Sequence, residues 1–282
     1  MRKKHFIVGI AMLMLIILPV CAETTMNGSI ELIVSTAKDV KVETDFTIKM
    51  PILTGEGPLF QGNNLKVKGL LGLSPVAATV SVDAILTPVA VMELSLGGSM
   101  GTGWDLAGDL QGLRYFPNSI PPVQTLSLQD FYYNGRAGAA LQFDTAAIVP
   151  GDWTSVVIRT YHEFNYQGLI NRNANDLWEY ELAGFRKNGF NYRSEYLVGY
   201  QMPIMLNMVA FMFETSKFNL LDNHGNDTIY DMSVIGNLNF IEGLNLTLVG
   251  QFTTKMNDST LYPKLRGAWR FSRLVAMLKY SF

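Results

Sequence analysis

An all-β fold, a membrane-spanning antiparallel up-and-down barrel of about twelve strands, is what this sequence predicts, with ten to fourteen strands open. Three observations carry the prediction. The chain is apolar without an apolar helix: 48% of its 282 residues are hydrophobic and 16% charged, against about 25% charged in soluble domains. After the first twenty residues no run approaches the roughly 18 uninterrupted apolar residues that a spanning helix needs. The dominant hydrophobic period is two, sustained over segments of ten residues or more. Sandwich strands average about five or six residues, whereas barrel-spanning strands need about 9–11. Finally, long polar connections alternate with short turns, the sorting that spanning barrels show between their two rims.

The elements follow in order. Arg2, Lys3 and Lys4 precede an apolar run from Phe6 to Val20, and Cys21-Ala22 offers a small residue before Glu23. Basic, apolar, then small is the order of a secretion signal, so residues 1–22 are read as a cleaved leader and 23–282 as the barrel domain. A retained helix or an acylated Cys21 are the alternatives. The run is short and broken by Gly9 and Pro19, and Val20 departs from the small residue that acylation sites place before the cysteine. Loss of the leader removes the one cysteine and takes the formal net charge from −2 to −5.

The predicted strands are 29–37, 40–52, 63–74, 77–87, 89–100, 131–146, 153–166, 191–202, 204–216, 227–240, 244–255 and 264–282. The clearest pair is Tyr230–Phe240 and Leu244–Phe252, two alternating runs joined by Ile241-Glu242-Gly243, which reads as a hairpin. Short turns are expected at Thr87-Pro88, Pro150-Gly151-Asp152 and Met202-Pro203. Gly108 to Pro122 reads as an irregular loop insert, and Trp178 to Arg186 as an external hairpin. In the last strand the apolar parity changes between Phe271 and Leu274. A β-bulge at Ser272-Arg273 accounts for this while keeping the order of long and short connections. Aromatics at predicted strand ends (Trp153, Phe164, Tyr166, Tyr192, Tyr200, Phe240, Trp269, Tyr280, Phe282) suit two interfacial girdles.

The chain ends with Leu274, Ala276, Leu278, Tyr280 and Phe282 on one face. This resembles the terminal strand of bacterial outer-membrane β-barrel proteins, which end on phenylalanine with an aromatic two residues before it. The resemblance covers about nine residues. It implies an outer-membrane location, outer-membrane lipid around the barrel, and recognition of these five residues by the barrel-assembly machinery.

By parity, the charged residues Glu31, Glu43, Asp45, Arg136, Arg159, Glu163, Asp231, Lys264, Arg266, Arg270 and Lys279 are expected to point into the lumen, as are Lys41, Lys49, Lys66, Lys68, Asp83 and Asp144. They could line a water-filled path or pair across it and plug it. Twelve strands fall between the filled interior of eight and the open channel of sixteen. The favoured reading is a narrow diffusion channel for small polar solutes. A plugged structural or adhesive barrel is the alternative, and a barrel lipid hydrolase built on a serine–histidine pair is a third. No basic excess exists to neutralise phosphates, which argues against nucleic acid. The mature chain has only His162 and His224 and carries no motif that calls for a cofactor or metal.

Membrane fractionation with N-terminal sequencing tests this reading. The expected product is an outer-membrane protein beginning at Glu23; a soluble periplasmic product, or an intact leader in the membrane, contradicts it.

Overall fold

The computed structural model describes residues 24–37, 39–106, 110–116, 124–125, 130–172, 177–181, 185–221, 228–254 and 269–282. Five long strands come first: β1 (Thr25–Ser35), β2 (Val40–Pro51), β3 (Asn64–Ser74), β4 (Ala77–Val89) and β5 (Met92–Gly103). Four short strands follow, β6 (Asp105–Leu106), β7 (Leu110–Gln111), β8 (Leu113–Phe116) and β9 (Gln124–Thr125). Long strands resume with β10 (Phe131–Asp144) and β11 (Val156–Leu169). The short β12 (Leu177–Tyr180) and β13 (Phe185–Lys187) precede β14 (Gly189–Gln201), β15 (Leu206–Lys217), β16 (Thr228–Ile241), β17 (Leu244–Thr253) and β18 (Arg270–Ser281).

The twelve long strands form one closed antiparallel barrel in the order β1-β2-β3-β4-β5-β10-β11-β14-β15-β16-β17-β18, and β18 returns to β1. Each long strand pairs with its neighbours in the chain, which makes the barrel up-and-down. The seam is in register from Ser29 opposite Ser281 to Ser35 opposite Val275. It is completed by two backbone bonds of 2.9 Å between Gly28 and Phe282, one in each direction. Gly28 leaves room for the terminal ring, because a Cβ there would lie 2.6 Å from it.

Alternation explains the two surfaces. On β4 and β5, Val80, Val82, Leu94, Leu96 and Met100 are exposed on the outside; Ser81, Asp83, Glu93 and Ser95 lie between them and face inward. The same holds around the ring, so the exterior is a continuous apolar band. Leu96 is 67% exposed and Phe211 47%, an unfavourable surface in water and a matched one in lipid. Aromatic side chains edge the band. Phe131, Tyr133, Tyr166, Phe190 and Phe271 are exposed toward the long-loop rim, and Phe143, Trp153, Tyr200, Phe240, Tyr280 and Phe282 toward the other.

Several boundaries differ from expectation. Strand β1 begins at Thr25, four residues earlier than predicted. Strand β4 runs through Thr87 and Pro88 to Val89, and the turn falls at Ala90-Val91. Pro88 is tolerated because the register shifts between Leu86 and Val89, next to the turn. Gly108 to Pro122 is not wholly irregular, because Leu113–Phe116 is a strand. The bulge in the last strand lies where the parity change put it: Gln251 pairs with Arg273 and Phe252 with Phe271, which leaves Ser272 unpaired. Positions 264–269 of the predicted last strand fall before the observed β18 start at Arg270, and 264–268 lie outside the described residues.

Deleting Phe282 removes both terminal seam bonds and the ring over Gly28. The expected result is a sharp drop in the heat-modifiable, membrane-inserted form on gels. Undiminished insertion would show that the seam closes without it.

Candidate functional site: the lumen and its mouth

Charged residues of both signs reach the lumen, and close pairing is the rule. On β2, Lys41 lies 3.0 Å from Glu43. Asp45 is approached by Lys68 at 3.6 Å and Lys279 at 3.5 Å, and it accepts a hydrogen bond from Ser29. Glu31 sits between Glu43 and Lys279 in the register. Farther round, Arg136 donates to Asp83 through Nε at 2.8 Å. Glu93 takes Lys66 at 2.9 Å and Arg159 at 3.6 Å, and Arg159 reaches Glu195 at 4.0 Å. Arg193 bridges Glu195, at 2.8 Å, and Glu214. Glu163 is buried and accepts hydrogen bonds from Tyr161 at 2.8 Å and Asn165 at 3.1 Å.

Of the residues singled out from sequence, Glu31, Glu43, Asp45, Arg136, Arg159, Glu163 and Lys279 therefore sit in this network. Asp231 lies between Glu214 and Thr253 in the register, and Arg270 is opposite Thr253. Lys264 and Arg266 lie outside the described residues. Lys279 shares the inward face with Arg270 because the bulge at Ser272 restores it. Asp144, read as inward, instead caps the turn after β10, accepting from the Ala146 amide at 2.9 Å and from Ser155. Leu274, Ala276, Leu278, Tyr280 and Phe282 form the outward face of β18, on the side of the exposed apolar band.

Sequence reading missed five inward charges. Glu93, Arg193 and Glu195 were within reach of parity, since Met92, Leu94, Tyr192 and Tyr196 mark the outward face beside them. Glu214 was hidden because β15 is apolar on both faces around it. Arg273 stands beside the bulge; it reaches Gln251 at 2.8 Å and Asp39 at 3.3 Å.

The wall beside β4, β5 and β11 holds a cavity of about 190 Å³ lined by Asp83, Ile85, Glu93, Ser95, Ala140, Arg159 and Tyr161. The outer mouth is occupied differently. Strands from two separate loops, β13-β12-β8-β9, form a four-stranded sheet outside the barrel ladder. One face carries Leu113, Tyr115, Trp178 and Tyr180, and it packs on Ala77, Tyr132 and Leu169 of the barrel wall. Trp178 and Leu113 are fully buried. Tyr132 stacks on Trp178 with ring centres 5.7 Å apart and meets Tyr180 at 4.5 Å with the rings tilted by 56°. The opposite face carries the pair Arg114–Glu179, at 3.3 Å.

Polar contacts latch this sheet to the wall. The Tyr180 hydroxyl shares a hydrogen bond of 2.5 Å with Thr79, and burial pushes its phenol up, so it remains protonated. Glu181 forms an ion pair of 3.0 Å with Lys41 on β2. Gly112 lies so close to the Val76 carbonyl that any Cβ would collide with it. Asn188 accepts from the Trp178 indole at 3.0 Å and from the Leu169 amide at 2.8 Å. The contacts run from β2 to β11, half of the ring, so the sheet covers that half of the mouth.

His162 is in the middle of β11 on the outward face. Its Nδ1 is 2.6 Å from the Tyr192 hydroxyl. Ser194 is its register partner but is only 3% exposed, so that hydroxyl is not presented to a substrate. His224 lies outside the described residues.

No family model matches the chain, and no curated protein matches it. Solved structures do. The described residues form a closed twelve-stranded antiparallel up-and-down barrel. It resembles a KdgM porin with a TM-score of 0.45 and 10% identity, over 90% of this chain and 99% of that one. For an outer-membrane channel from Pseudomonas putida F1 the TM-score is 0.47 with 10% identity, over 91% and 95%. For OprD of Pseudomonas aeruginosa it is 0.31 with 8% identity, over 93% and 96%. At these identities the likeness is one of fold.

Replacing a buried tryptophan by alanine costs about 3–5 kcal/mol. Trp178→Ala and Gly112→Val are therefore expected to release the mouth sheet without opening the barrel. Limited proteolysis of the refolded protein checks this: new cuts should appear in 104–130 and 170–188 while heat-modifiable mobility persists.

Proposed function

We propose that the protein is a narrow diffusion channel of the bacterial outer membrane for small polar solutes. The observation that carries the reading is the partition of side chains. An apolar exterior suits lipid, and much of the interior carries partly exposed ionic pairs, beside a cavity lined by Asp83, Glu93, Arg159 and Tyr161 where a closed core would have apolar filling. The charges are matched nearly one for one, which suits weak ion selectivity rather than a strong preference for either sign. The same proposal includes secretion by the leader ending at Ala22 and delivery through the barrel-assembly machinery, which reads the face Leu274, Ala276, Leu278, Tyr280 and Phe282.

A plugged structural or adhesive barrel is the second reading. The mouth sheet favours it, because half of the outer opening is covered and latched by Lys41–Glu181. Enzymatic turnover has less support: the outward His162 bonds to Tyr192, and its register neighbour Ser194 is buried.

Planar-bilayer recording of the purified, refolded protein separates the first two. Stepwise currents are expected, rising in amplitude in Glu181→Gln, which loses the latch. A silent bilayer for both proteins favours the plugged barrel. Arg159, whose ion pairs are the longest at the cavity, supplies a further check. Arg159→Glu should move the reversal potential in a KCl gradient toward cation preference; an unchanged potential would take Arg159 out of the path.

A further inference from the structure

The inner wall is not uniform. On β14 to β18 and β1 the inward positions include Leu197, Met208, Ala210, Met212, Ile235, Val249, Val275, Met277 and Ile33. Leu197 is opposite Met212, and Ala210 is opposite Ile235. Ile235 is opposite Val249, which is opposite Val275, and Met277 is opposite Ile33. The exposed outward residues Val198, Phe211, Val234, Leu248 and Leu274 alternate with them, so these apolar side chains do face inward. Six strands away in a ring of twelve, β15 to β18 look across at β3, β4, β5 and β10. Those strands carry Lys66, Lys68, Asp83, Glu93 and Arg136; on β15 to β18 the inward charges Glu214, Asp231, Arg270, Arg273 and Lys279 stand above and below the row Ala210, Ile235, Val249 and Val275.

A water-filled barrel is ordinarily polar inside. Leu197, Met208, Met212, Ile235, Val249 and Met277 are only half-buried, and such apolar surface facing water is unfavourable. Polar side chains bound the patch and enter its outer rows: Ser233, Gln251 and Arg273 continue the row of Leu197 and Met212, and Asn237 and Thr247 stand in that of Met208 and Met277. Toward the mouth stand Glu195 and Glu214, held by Arg193. The Asn237 amide donates to Thr247 at 2.6 Å, and beyond that pair, toward the other rim, stand Asn239 and Asn245. Successive inward residues on a strand are about 6.7 Å apart, so Met208, Ala210 and Met212 give roughly 14 Å of apolar surface along β15, and the row Ala210, Ile235, Val249 and Val275 carries it across to β18. That matches a body of about six to eight carbons.

From this geometry we infer that the lumen binds small amphiphiles, with an apolar body on the β15–β18 wall and an ionic head on the β3–β10 wall. The inference rests on the channel reading and narrows its solutes from polar molecules in general to this class. The charged wall carries both signs, so acid and ammonium heads share the chemistry.

Current block in planar bilayers tests it. The probes are hexanoate against gluconate, and hexylammonium against N-methylglucamine, each pair equal in charge. At least one apolar probe should block at about tenfold lower concentration than its hydroxylated partner, the effect of one to two methylenes leaving water; which probe does so identifies the head. The triple variant Met212→Asn, Ile235→Asn, Val249→Asn should lose that ratio while still conducting KCl. Val249→Thr, nearly isosteric, should lower the ratio two- to threefold if the triple variant does not fold. Equal block by both members of each pair, or a ratio unchanged in Val249→Thr and in any folded triple variant, overturns the inference and leaves the channel standing. A changed conductance with no probe preference assigns the apolar wall to packing against another part of this chain and overturns it too. Absence of KCl current removes the channel reading and this inference with it.

Discussion

The hydrogen-bonded closure of β18 onto β1 is the constraint on which the rest depends. In a hydrocarbon layer an open sheet would expose two rows of unsatisfied amides and carbonyls, each costing several kcal/mol. Closing the ring leaves no edge. Every strand must then be long enough to cross, every turn must lie at a rim, and every side chain must choose between lipid and lumen. The terminal Phe282 takes part directly, since its amide and carbonyl both bond to Gly28.

The choice between lipid and lumen is made residue by residue, and a single unpaired residue can reverse it. Ser272 does so in β18. Without it, the apolar face Leu274–Phe282 would turn into the lumen, and Lys279 would be pushed into lipid, away from Asp45 and Glu31. Inside, ionic pairs rather than an apolar core hold neighbouring strands. Partly hydrated pairs contribute little stability one at a time. Their larger effect is on what can occupy the space between them.

Alternation made most of this legible in the sequence. The twelve strands, the bulge at Ser272 and the hairpin at Trp178–Arg186 all follow from a period of two and from places where it breaks. The signal failed where both faces of a strand share one chemistry. On β15, Val209, Phe211 and Phe213 face lipid while Met208, Ala210 and Met212 face the lumen, so no contrast marked Glu214 as inward. Docking of the mouth sheet was invisible for another reason. Pairing of Leu113–Phe116 with Leu177–Tyr180 joins two loops about sixty residues apart, and neither carries a local mark of its partner. Asp144 shows the reverse error: its parity was right, but a turn at the rim claimed its carboxylate.

The mouth sheet also bears on the order of assembly. Its strands and its wall contacts all belong to the chain between β2 and the start of β14, and none of the described contacts requires β15 to β18. Its longest strand pairings join residues 61 to 67 apart and its wall contacts residues up to 140 apart, whereas the seam joins residues 240 to 252 apart. Loop-closure entropy places such a distant pairing late. The half-cylinder from β2 to β11 can thus seat its inner sheet while still open on one side, with the remaining strands added around an interior already furnished. Such a route never has to thread an apolar, tryptophan-bearing sheet through a finished opening.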